Sequence, residues 1–149
     1  MPADGFDRYT AHGGPVRGLA LSPDGSTLIT ASFDYSAVVW EAQTLKEKAT
    51  LLGHNAAVNT ATFSADGSLL ATAGDDGAVL LWNSDEFQQQ QAGPIVLNGH
   101  KGKVVDLAFS DDGKMLASAS WDGSIGIWPL VGGAIDKTKN ERFINGHGG

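Results

Sequence analysis

Three histidines in this chain are each followed, 22 residues later, by an aspartate: His12 by Asp34, His54 by Asp76 and His100 by Asp122. A carboxylate that orients an imidazole, with a serine nearby, supplies the ingredients of nucleophilic catalysis. Two carboxylate pairs, Asp75-Asp76 and Asp111-Asp112, could also offer oxygens to a cation. Repetition argues against the first chemistry, because an enzyme needs one unique site and here the same trio returns in every unit. The carboxylate pairs adjoin Gly77 and Gly113 and read as turn formers, with no further ligands at calcium-loop spacing. The expectation is a non-catalytic chain with no metal and no cofactor.

What must position these groups is a repeat. The order His12, Pro23-Asp24-Gly25, Asp34, Trp40 returns as His54, Ala65-Asp66-Gly67, Asp76, Trp82 and again as His100, Asp111-Asp112-Gly113, Asp122, Trp128. The step from the later Asp to Trp is always 6 residues, whereas Trp to the next His takes 14, 18 and 19. All insertion is therefore confined to one connection per unit, which reads as a tolerant surface loop. In the second unit that loop holds the polar run Gln88 to Gln91, to which no function is assigned.

Each unit reads as four short strands. In the first, Val16 to Leu21 and Thr27 to Ser32 flank Ser22-Pro23-Asp24-Gly25-Ser26, where Pro fixes φ and Gly accepts positive φ, so the two runs form a hairpin. Ala37 to Trp40 follows as the third strand and Lys48 to Leu52 as the fourth. Runs such as Val79-Leu80-Leu81-Trp82 are apolar throughout, as in a sheet covered on both faces. Such sheets must stack on one another. The 20 glycines among 149 residues and the 42% apolar content agree with a globular all-β chain full of tight turns.

Composition narrows the partners. Ten Lys and Arg against 17 Asp and Glu leave a net charge of −7, which repels a phosphate backbone unless a local basic patch exists. The densest basic cluster, Lys137, Lys139 and Arg142, is diluted by Asp136 and Glu141, so nucleic acid is not an expected partner. The absence of cysteine removes disulfides, thiolate zinc sites and cysteine nucleophiles. Met1 to Asp7 lacks the basic start and apolar stretch of a secretory signal, and no 18-residue apolar run occurs, so a cytoplasmic chain without membrane contact is expected.

A period of 42 to 46 residues, Gly-His before the first strand, Pro-Asp-Gly or its variants in the first hairpin and Trp closing the third strand resemble the WD40 repeat of β-propellers, from about Tyr9 to His147. The namesake dipeptide is missing, since Trp precedes Glu41, Asn83 and Pro129; the one literal Trp-Asp, Trp121-Asp122, lies in a turn. The resemblance implies three four-stranded antiparallel blades at about 12–52, 54–98 and 100–145 within a single region spanning 1–149.

It also implies a hydrogen-bonded tetrad in each blade: His12, Ser32, Asp34 and Trp40; His100, Ser120, Asp122 and Trp128; and, in the second blade, His54, Asp76 and Trp82, where Gly74 stands in the serine's place and Thr72 is the substitute. That blade is expected to be the least rigid. Buried polar groups of this kind must be satisfied or cost about 1–3 kcal/mol each. Family members bind other proteins on the face bearing the connections into the first strand and between the second and third. The positions pointing there are Arg17 and Phe33, Asn59 and Asp75, Val105 and Trp121. Arg beside large aromatics is the composition of interface hot spots, although Phe33 and Trp121 could instead pack on a neighbouring blade.

Closed propellers have four to eight blades, so three make an incomplete ring. Asp7 to Thr10 reads as the last strand of a preceding blade and Ile144 to Gly149 as the opening of a fourth unit, so both ends look like cuts through a longer array. An open blade face of roughly 500 Å2 would forgo on the order of 12 kcal/mol. Either copies of this chain or missing blades of a parent are expected to cover it, the parent being favoured. The hexapeptide Ala31 to Ser36 resembles bacterial WD repeats joined to a c-type cytochrome domain, which would make the parent periplasmic and this segment structural. A small-ligand or enzymatic module, with one concave site and a strongly perturbed acid or base, is the remaining alternative.

Overall fold

The computed structural model describes residues 11–87, 93–132, 134–136, 138–139 and 141–145. The chain folds as three antiparallel sheets in sequence order. The first holds β1 (Val16–Leu21), β2 (Thr27–Ser32), β3 (Ala37–Glu41) and β4 (Glu47–Leu51). The second holds β5 (Val58–Phe63), β6 (Leu69–Gly74), β7 (Val79–Asn83) and β8 (Ile95–Leu97), with a 3-10 turn at Ser84–Glu86 after β7. The third is built from β9 (Val104–Phe109), β10 (Met115–Ser120), β11 (Ser124–Val131) and β13 (Arg142–Asn145). An added strand, β12 (Ala134–Ile135), folds back on the end of β11.

The first two strands of blade one match the sequence reading. The fourth runs Glu47–Leu51 where Lys48 to Leu52 is expected, a shift of one residue. The proposed strand at Asp7 to Thr10, the Gln88 to Gln91 loop, Lys137 and the last four residues of the Ile144 to Gly149 opening lie outside the described residues, while Ile144 and Asn145 end β13, the last strand of blade three.

Turn chemistry explains the tight first hairpins. Asp24 Oδ1 accepts hydrogen bonds from Ser22 Oγ (2.7 Å), Ser26 N (3.0 Å) and Ser26 Oγ (2.7 Å), and Gly25 sits at φ +76°. Asp66 repeats this with Ser64 and Ser68, and Asp112 with Ser110 and the amide of Lys114. These donors hold the carboxyls of Asp24 and Asp66 down to about 2.

The period-2 alternation of a strand divides blade two between two cores. Leu69, Ala71 and Ala73 of β6, with Val79 and Leu81 of β7, pack toward blade three, against Val104, Leu107, Leu116 and Trp128. Leu70, Leu80 and Trp82 pack toward blade one, against Ile29, Ala37, Val39 and Leu51. Every residue of β6 is buried as a result. The blades touch mainly through their first strands: β5 lies against β1 and β2, and β9 against β5 and β6. The result is a fan of three blades that does not close on itself. No helix among the described residues is long and apolar enough to cross a membrane.

Candidate functional site

The three histidines occupy equivalent places at the entry to each blade. His12 Nδ1 lies 2.9 Å from Asp34 Oδ2, and its Nε2 lies 2.7 Å from Thr30 Oγ1, which also accepts the indole N–H of Trp40 at 2.9 Å. In blade two His54 makes the same contacts with Asp76 (3.0 Å) and Thr72 (2.9 Å), and Trp82 donates to Thr72 at 2.9 Å. His100 contacts Asp122 at 3.1 Å and Ser118 at 2.6 Å, while Trp128 meets its ring edge-on with centroids 5.9 Å apart.

The hydroxyl expected at Ser32 and Ser120 is thus supplied from two residues earlier, by Thr30 and Ser118. The two positions share a face of the second strand of each blade, so alternation cannot choose between them, but they stand about 6.7 Å apart along it. Ser32 instead donates to Pro15 O (2.8 Å) and accepts from Asp34 N, closing the turn to β3; Ser120 likewise accepts from Asp122 N. Thr72 is therefore the regular position and not a substitute. Blade two has a complete network, and its sheet is the most deeply buried of the three.

Donor counting fixes the protons in blades one and two. The aspartate carboxylate only accepts, which puts the proton of the neutral ring on Nδ1. Nε2 is then bare and accepts the threonine hydrogen, while the threonine oxygen accepts from the indole N–H. A histidine held this way has no free lone pair with which to take a proton from a nucleophile. Burial, opposed by the Asp76 charge, pushes His54 below its ordinary value of 6.5. Burial likewise pushes the Asp34 carboxyl up, but donors from Ser36, His12 and Gly13 outweigh it and hold it at about 2. Asp122 behaves in the same way, further below the usual carboxylate range, with Ser124, Lys101 N and His100 as donors.

Around these networks lies a rim. The Arg17 guanidinium sits 4.7 Å over the Phe33 ring, so the two rim positions of blade one are in contact. In blade two Asn59 Nδ2 donates to Asp75 Oδ1 (2.7 Å) and to Val104 O of the next blade (3.1 Å). In blade three Val105 and Trp121 are both exposed, Trp121 by 72%. Sequence reasoning missed Lys103, whose ammonium lies 5.0 Å over the Trp121 ring and 3.6 Å from Asp75 Oδ2, tying blade three to blade two. Its place three residues after His100, directly before β9, is the signal that could have found it.

Tyr35 was also missed. It is exposed and holds φ +75° in the turn from β2 to β3, where the other blades place Gly77 and Gly123. At the opposite end, a cleft of about 480 Å3 between blades one and two is lined by Asp24, Asp66, Asp85 and Lys48. Carboxylates held near 2 are poor proton acceptors at neutral pH.

A family model described as WD domain, G-beta repeat matches residues 6–41, 45–83 and 94–129. No curated protein matches the chain.

Proposed function

Because the chain belongs to the WD domain, G-beta repeat family, whose repeats generally act as scaffolds for protein interaction, we propose that it is a non-catalytic platform that holds other proteins on its His-bearing rim. The observation that carries this reading is the pair of cation–aromatic stacks at equivalent corners of two blades: Arg17 on Phe33, and Lys103 on Trp121. Phe33 and Trp121 are both exposed, which supports the reading. Stacked cations beside open aromatic faces suit a protein segment that presents carboxylates and apolar side chains together.

The chain's net charge of −7 supports the exclusion of nucleic acid, since counterion release would favour binding only through a broad basic surface. The donor count at the histidines supports a structural role for them.

The test is capture of interacting proteins by the immobilised chain, with Phe33→Ala and Trp121→Ala compared with wild type. Loss of capture by variants that melt like wild type is expected. Equal capture by both variants and wild type would sink the reading.

A further inference from the structure

The rim stacks two cations on aromatic rings, and only one of them is unpaired. Lys103 lies 3.6 Å from Asp75 Oδ2, so its charge is already answered from blade two. Arg17 stacks on Phe33 and forms no ion pair among the described residues. Asp34, next to Phe33 in the chain, is held by His12 Nδ1, by the amides of Gly13 and Ser36 and by Ser36 Oγ. A carboxylate brought to Lys103 stands beside Asp75 and meets like charge there, whereas one brought to Arg17 meets an exposed guanidinium.

Between the two corners, the rim positions of blade two supply no free side-chain donor. Asn59 Nδ2 spends its two hydrogens on Asp75 Oδ1 and Val104 O, and Asp75 is taken up by Asn59 and Lys103. Asn59 Oδ1 is buried and accepts no hydrogen bond among the described residues. Blade three instead exposes apolar surface, Trp121 by 72% and Val105 by 38%. Recognition is therefore divided, with charge at blade one and apolar area at blade three.

Resting on the reading of this rim as the binding surface, we infer that its partner is an acidic peptide segment laid across it in one sense. An Asp or Glu of the segment sits on Arg17 at blade one, and an aromatic or aliphatic side chain lies against Trp121 at blade three. A lone guanidinium matches a single carboxylate, which it holds through two parallel N–H bonds. The net charge of −7 makes this recognition local, since an acidic segment gains no attraction from the chain as a whole.

The test is selection of random peptides displayed on phage against the immobilised full chain, followed by fluorescence anisotropy on the peptides recovered. Peptides that wild type binds and Trp121→Ala does not are expected to carry an Asp or Glu beside an apolar residue. Arg17→Gln is expected to bind such a peptide at least tenfold more weakly. Replacing the peptide's acid by the matching amide is expected to weaken wild type as much and to leave Arg17→Gln unchanged. Arg17→Glu is expected to select Lys or Arg in place of the acid. Lys101→Gln removes the same charge from an exposed site stacked on no ring, and is expected to bind like wild type.

Peptides that need Trp121 but carry no acid, or whose acid is indifferent to Arg17, would overturn this inference and leave the platform reading standing. An equal loss in Lys101→Gln and Arg17→Gln would overturn it as well, by making the effect one of net charge. If no recovered peptide depends on Phe33 or Trp121, the rim reading falls and this inference with it.

Discussion

The carbonyl of Ala57 occupies the space that a β-carbon on Gly74 would fill, and it accepts the amide of Asp75 at 2.9 Å. The register shift beside it recurs in blades one and three, where Ser32 and Ser120 are accommodated, so the close approach is particular to blade two. The position that carries Ser32 and Ser120 in the other blades is thus closed to any side chain in blade two. Gly74→Ser is expected to destabilise the protein by about 1–3 kcal/mol through overpacking. A urea melt with an unshifted midpoint would contradict this close approach.

Thr72 should behave differently from a surface hydroxyl. Thr72→Val keeps the volume but removes the acceptor for Trp82 and the donor for His54, both in a fully buried setting. With about 1–3 kcal/mol for each of the two orphaned groups, a loss of about 2–6 kcal/mol is expected in denaturant melts. Ser32→Ala, which leaves the His12 network intact, is expected to cost about 1 kcal/mol.

Acid should weaken the fold in two stages. His54 has a folded pKa below its ordinary 6.5, so the unfolded chain binds the proton more readily. Stability is therefore full above that value and declines as the pH falls below it. Asp34, held at about 2 against an ordinary 3.8, adds stability that is full above 3.8 and is lost as pH falls toward 2. Urea midpoints at pH 7.5, 5 and 3 are expected to fall at each step, and an identical midpoint at pH 7.5 and 5 would remove the His54 contribution.

Tyr35 holds a left-handed backbone that costs an L-residue roughly 1–2 kcal/mol. Tyr35→Gly is expected to raise stability by about 1 kcal/mol, after the entropy lost on ordering glycine. If the exposed ring belongs to the rim, the same variant captures partner proteins less well. A stabilised variant with undiminished capture would place Tyr35 outside the binding surface.

Strand positions and blade order were legible because period-2 apolar runs and Asp-Gly turns act locally. The His, Asp and Trp of each unit were legible from constant spacing. The hydroxyl was not, because residues 30 and 32 share a strand face and only the depth of the imidazole separates them. Lys103 escaped for a related reason: its two partners, Asp75 and Trp121, lie 28 and 18 residues away on different blades. The fold-back of β12 on β11 had no counterpart in the other units from which to be read.

In β6, neighbouring residues answer to different blades: Leu70 to the blade before, Leu69 and Ala71 to the blade after. A unit of this kind carries a socket and a plug in the same six residues. A gene that lengthens by copying it gains both at once, so the number of blades can change while no contact has to be invented anew.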